Sequence, residues 1–94
     1  MSEDRIAMRA RISGRVQGVN YRAWTQGEAE KLGLAGWVRN EADGSVTAVL
    51  AGEDESVSLM LDKLRQGPPA ASVRDVESEE FDPEVWPTAF TVER

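Results

Sequence analysis

The stretch from Gly14 to Arg22 reads GRVQGVNYR: two arginines bracket an uncharged run, with glycines at 14 and 18. Gly14 and Gly18 reach backbone angles closed to other residues, and Asn20 tolerates the left-handed region better than most. A loop of this kind, leading into a helix, can turn several backbone N–H groups inward as a concave anion site. Arg22 in the first helical turn adds a planar guanidinium whose fork matches two oxygens of a phosphate or carboxylate. Together these groups suit one tetrahedral dianion. Composition alone equally allows an ordinary strand-to-helix connection with an exposed arginine, because glycine-rich turns are common. The glycine spacing is too short for a Walker-type loop, no Lys-Ser or Lys-Thr follows, and the dinucleotide fingerprint does not fit either.

The rest of the composition narrows the chemistry. The chain has neither histidine nor cysteine, which removes the commonest general base, thiol nucleophiles, disulfides and thiolate metal sites. Asp75, Glu77, Glu79, Glu80 and Asp82 are the remaining candidates for a hard cation. At strand spacing they split between two faces, and charge runs of this kind face water, so neither a metal nor a cofactor is expected. The net charge is −6, from 17 acidic and 11 basic side chains, which repels nucleic-acid backbones and argues against a nucleic-acid partner. No apolar run approaches the ~20 residues of a membrane span, and MSEDRIAMRA lacks the basic-then-apolar order of a secretory signal. The expectation is a cytoplasmic protein with no membrane partner. A chain of 94 residues makes one domain, 1–94, able to bury roughly two-thirds of its unfolded surface. No exposed apolar stripe demands a second copy, so a monomer is expected.

The elements that must hold the loop are legible from periodicity. RIAMRARIS alternates as a half-buried strand, with Ile6, Met8, Ala10 and Ile12 on one face and Ala7, Arg9 and Arg11 on the other. Tyr21, Thr25, Ala29 and Leu32 recur at helical spacing, and Gly33 supplies a stop. Gly27 inside that helix costs about 1 kcal/mol relative to alanine and reads as a close packing contact. GWVRN and SVTAVLA flank EADG, where Asp43-Gly44 signals a hairpin. In EDESVSLMLDKLRQG, Val57, Met60, Leu61 and Leu64 form an apolar stripe between an acidic start and a basic end, and Gly67 with Pro68-Pro69 closes the helix. ASVRDVESEEF reads as a strand in which Val73 and Val76 are only partly in phase, and TAFTVER as a short final one. Trp37 and Val38 read as core and sheet contacts, Trp24 and Trp86 as partly exposed, and Thr25 as packing. The order is strand, helix, strand, strand, helix, strand, with a short extra strand. This is the ferredoxin-like α+β sandwich: a four- to five-stranded antiparallel sheet with two helices on one face.

GRVQGVNYR followed by GWVRNEADGSV resembles the two signatures of the acylphosphatase family. The likeness continues through AEKLGLAGWVRN, DGSVTAVLAG, KLRQGPPAASV and FTVER, nearly the whole chain. The resemblance implies metal-independent hydrolysis of the carboxyl-phosphate bond of an acyl phosphate, giving a carboxylate and a phosphate ion. It makes Arg22 the phosphate-binding arginine, with the loop amides of Arg15, Val16, Gln17, Gly18, Val19, Asn20 and Tyr21 around the same anion. It makes Asn40 the residue that positions the attacking water. Tyr21 stands where phenylalanine is commoner in the family, and Glu93-Arg94 end the chain where an aromatic is frequent.

The implied reaction suits these residue types. An acyl phosphate is a mixed anhydride with a good leaving carboxylate, so holding the phosphoryl group, neutralising its charge and placing a water in line are the main tasks. An asparagine amide orients water but cannot take its proton; the resemblance implies that a phosphate oxygen of the substrate accepts it. On its residue type alone, Asn40 is a hydrogen-bonding residue at a strand end. An anion-sensing domain on the same fold would keep Arg22 and the loop but have no use for Asn40. An RNA-recognition module shares the element order, yet needs exposed aromatics on the central strands and a basic sheet face, and RIAMRARIS offers arginines without an aromatic.

Overall fold

The computed structural model describes residues 5–94. In chain order the elements are β1 (Arg5–Arg15), α1 (Tyr21–Lys31), β2 (Ala35–Asn40), β3 (Val46–Glu53), α2 (Asp54–Gln66), β4 (Ser72–Glu80) and β5 (Phe90–Glu93). They form one five-stranded sheet in the order β4-β1-β3-β2-β5. The first four strands pair antiparallel, as expected. The fifth does not: β5 lies parallel to β2, so the sheet is mixed. Topology explains this correction, because β4 and β5 occupy opposite edges. The connection from 81 to 89 crosses one end of the sheet, so the chain re-enters running opposite to β4 and therefore alongside β2.

Strand pairing sorts the side chains into two faces. On one, Ala10 opposes Ala48 and Ile12 opposes Val46, with Val38 beside Ala48 and Val76 beside Ile12. These residues join Leu50 and Phe90 with Tyr21 and Ala29 of α1 and Val57, Met60 and Leu64 of α2 in a single buried cluster. Full burial of each aliphatic side chain there stabilises by about 1.5–3 kcal/mol relative to exposure. Leu61, expected in the α2 stripe, is only half-buried at its margin.

The opposite face carries Arg5, Arg9 and Arg11 of β1 and, through Thr47, Arg39 of β2 in the same row as Arg11. None of these arginines is left bare. Arg5 stacks over Trp86, Arg9 over Phe81 and Arg39 over Trp37, at 5.1, 4.8 and 4.7 Å. Arg9 also meets Glu79, Arg11 meets Asp43 and Arg39 meets Glu41. The aromatic contacts and carboxylates offset the charge of this basic row, although Arg5, Arg9 and Arg11 stay exposed. Trp37 thus belongs to this half-exposed face, whereas its neighbour Val38 is in the core.

Three further readings change. Ala7, expected on the wet face, is buried because the chain leaving β4 covers it: Phe81 N–H donates to the Ala7 carbonyl at 3.0 Å, and Trp86 lines the same surface. Val73 and Val76 come into phase through a bulge. Ser13 pairs with Asp75 but Gly14 with Val73, so Arg74 is an extra residue on β4. At that bulge the Gly14 backbone has φ 121°, and a Cβ there would sit 2.3 Å from the Ser72 carbonyl oxygen, so only glycine fits. Gly27 has no such reason, since a Cβ on it would meet open space and its φ is not positive.

Candidate active site

The strand-to-helix junction between β1 and α1 is shaped by two left-handed residues, Gly18 at φ 75° and Asn20 at φ 67°. Asn20 is the N-cap of α1, and its side chain makes no capping hydrogen bond. The first turn carries no acidic residue. Among the described residues no backbone carbonyl accepts from the N–H groups of Gly18 through Ala23; the first intrahelical partner appears at Trp24, whose N–H donates to the Asn20 carbonyl at 3.1 Å. A helix start with free N–H groups and no carboxylate in its first turn presents a positive end to an anion.

The start of α1 is fixed from behind. Tyr21 is buried and its hydroxyl donates to the Leu64 carbonyl of α2 at 2.7 Å. Burial raises the Tyr21 pKa well above the usual phenol value, so the hydroxyl remains a donor. Thr25, fully buried, donates back to the Tyr21 carbonyl at 2.8 Å. Tyr21 and Thr25 therefore face the core, and Arg22 between them faces outward.

Arg22 is half-buried, and its Nη1 donates to the Glu93 carbonyl of β5 at 2.7 Å. One turn later Gln26 Nε2 donates to the Phe90 carbonyl at 3.0 Å. The two side chains brace α1 against β5, and the Glu93 contact holds one arm of the guanidinium fork while leaving other N–H donors for a ligand. Periodicity in TAFTVER signalled a strand, but docking beside β2 with carbonyls toward α1 is a long-range pairing with no local signature.

Asn40 arrives from the other side. As the last residue of β2 it opposes Val46, which in turn opposes Ile12 on β1. The row Asn40–Val46–Ile12 sets Asn40 on the helix-bearing face, just below where β1 runs into the loop. Val16, Gly18, Asn20, Tyr21, Arg22 and Ala23 then enclose, with Asn40 and Val92, a cavity of about 210 Å³. That is smaller than the ~300 Å³ at which drug-sized pockets begin, and it suits a compact anion.

The side chains of Arg15, Gln17 and Val19 are not part of this lining. Arg15 is exposed and still part of β1, where it pairs with Ser72. Val19 packs against the core cluster. Gln17 turns its side chain toward the β2–β3 turn, where Nε2 donates to the carbonyls of Glu41 and Ser45, each at 2.8 Å. A larger cavity of about 750 Å³ lies at the far end of the sheet, but its one arginine, Arg5, is the partner of Trp86. Among the described residues no three acidic side chains converge as metal ligands; Glu77 and Glu79 instead oppose Arg11 and Arg9 across the β1–β4 ladder. No helix of the described residues is long and apolar enough to cross a membrane.

Comparison with known proteins bears on this site. The family profile described as Acylphosphatase matches residues 8–92. An acylphosphatase of Rhizobium meliloti is 58% identical over 94 residues, covering 100% of this chain and 99% of that protein. Among solved structures, an acylphosphatase from Coxiella burnetii superposes with a TM-score of 0.92 at 36% identity, covering 98% of this chain and 96% of its own. The acylphosphatase from Bacillus subtilis does so with a TM-score of 0.91 at 31% identity, covering 95% and 99%.

Proposed function

Because the chain belongs to the acylphosphatase family, whose function is hydrolysis of acyl phosphates, we propose that the cavity between α1 and β2 is its active site. In this reading the phosphoryl group lies at the start of α1, held by loop N–H groups and by the free arms of Arg22. The observation that carries it is the convergence of Gly18, Asn20, Arg22 and Asn40 on one cavity small enough for a phosphate. Arg22 and the amides neutralise the equatorial oxygens, an effect typically worth a few kcal/mol of barrier per well-placed donor.

Asn40, approaching from β2, orients the attacking water. The water's oxygen bonds to phosphorus as the bridging P–O bond breaks and the carboxylate departs with the bridging oxygen. The water's proton passes to a phosphate oxygen of the substrate, so no histidine or cysteine is required. No metal is required either, because the charge is met by Arg22 and backbone dipoles. Arg15 contributes attraction of the anion from the exposed end of β1 rather than a direct contact. We read the protein as a cytoplasmic monomer without nucleic-acid or membrane partners.

The test is hydrolysis of benzoyl phosphate in the presence of a chelator, with inorganic phosphate as competitive inhibitor. Arg22→Ala is expected to lower kcat/KM by about 10²–10³-fold and to weaken phosphate inhibition. Asn40→Ala should lower kcat while phosphate still inhibits. A wild type that binds phosphate but leaves benzoyl phosphate intact would instead mark an anion-sensing domain.

A further inference from the structure

The geometry points to Gln17 as a positioning residue that sets the distance between the phosphate loop and the water-orienting Asn40; this rests on the reading of the cavity given above. The neighbours Val16 and Gly18 line the cavity, whereas the Gln17 side chain leaves it and bridges to the turn that follows Asn40. Both acceptors are carbonyls, Glu41 and Ser45, separated from Gln17 by 24 and 28 residues. The Gln17 amide nitrogen carries two N–H donors, one for each carbonyl.

The turn that receives Gln17 is itself closed tightly. Glu41 N–H donates to the Ser45 carbonyl at 2.8 Å, and Gly44 N–H to the Glu41 carbonyl at 3.2 Å. Asp43 Oδ1 accepts from the Ser45 N–H and hydroxyl at 2.9 and 2.6 Å, and Arg11 of β1 holds the other Asp43 oxygen. Asn40 precedes this rigid turn directly, so it moves with it. A phosphoryl group held by the loop moves with the loop. The two Gln17 hydrogen bonds tie these bodies together, and in-line attack is sensitive to that tie: a misplacement of about 1 Å can cost ~10²-fold.

The experiment compares wild type, Gln17→Met and Gln17→Glu on benzoyl phosphate, with inorganic phosphate inhibition and thermal melts alongside. Gln17→Met keeps the chain length but donates nothing; kcat is expected to fall about 10–10²-fold with the phosphate inhibition constant within about threefold of wild type. Gln17→Glu sets a carboxylate against two carbonyls and should lose at least as much at neutral pH. Protonation returns one donor, and the repulsive carbonyls raise the pKa at which this occurs. Its kcat relative to wild type should therefore recover as the pH falls toward about 5, a rescue that Gln17→Met cannot show. Loss of kcat and phosphate inhibition in parallel, with no pH-dependent recovery, would overturn the inference in favour of a general role in loop folding. Unchanged kcat in both variants would overturn it too. In either case a hydrolysing wild type leaves the reading of the active site standing, whereas a wild type without hydrolysis overturns both.

Discussion

The hydroxyl of Tyr21 should be worth far more than one surface hydrogen bond, and its removal gives a sharp test of how the site is braced. Leu64 lies in the last turn of α2, where its carbonyl would ordinarily accept from the N–H four residues on. That residue is Pro68, which has none. Tyr21 fills the vacancy at 2.7 Å, with Tyr21 and Leu64 both buried. Tyr21→Phe therefore strands a buried acceptor, which costs about 1–3 kcal/mol. For a domain of this size each kcal/mol lowers Tm by roughly 4–8 °C, so a fall of about 5–20 °C is expected. Calorimetry supplies Tm, and denaturant melts should show a lower midpoint with an unchanged m-value. A Tm within about 2 °C of wild type would refute the reasoning, because the Leu64 carbonyl would then have a partner other than Tyr21.

Two further predictions concern stability. Gly27→Ala should raise it by about 0.5–1 kcal/mol, since a Cβ meets open space in an ordinary helical residue; thermal melts should show a higher Tm at unchanged kcat, and a lower Tm would contradict the account. At acid pH the β2–β3 turn should lose its carboxylate contacts only below the ordinary carboxylate range. Asp43 titrates below its ordinary 3.8, first because Ser45 donates to it through hydroxyl and N–H and then because of Arg11, and Glu41 below its ordinary 4.5 through Thr47 and then Arg39. Depressed folded-state values mean that this stabilisation is fully present above the ordinary carboxylate range. It is lost as the pH falls through the lowered values. Melts between about pH 5 and 2 should show a shallower decline for Asp43→Asn than for wild type; equal slopes would contradict it.

The local code carried most of the fold and marked the loop on which the candidate site is built. The hairpin at Asp43-Gly44, the α2 stripe and the β1 alternation are decisions made within a few residues, and each appears where its pattern indicated except at Leu61 and Ala7. Features set by distant chain segments were not legible. The bulge at Arg74 exists because Gly14 and Ser72 approach closely, and it makes Val73 and Val76 look out of phase in sequence. Ala7 is buried by residues more than seventy positions later, and β5 finds its parallel place beside β2 only through the sheet. The same division holds at the site: the GRVQGVNYR loop announces an anion cradle, but the Glu93 carbonyl against Arg22 and the Gln17 bridge to the turn are tertiary contacts. Asn40 gives no signal of its own beyond a strand end, and the role proposed for it comes only from the family resemblance.

The central claim is that water attacks phosphorus in the cavity between Arg22 and Asn40. A single turnover of benzoyl phosphate in oxygen-18-enriched water tests it most directly. Attack at phosphorus delivers the label to inorganic phosphate and leaves benzoate unlabelled. Label in the benzoate carboxylate would mean attack at the acyl carbon, and would contradict a site built to hold the phosphoryl group and aim water at it.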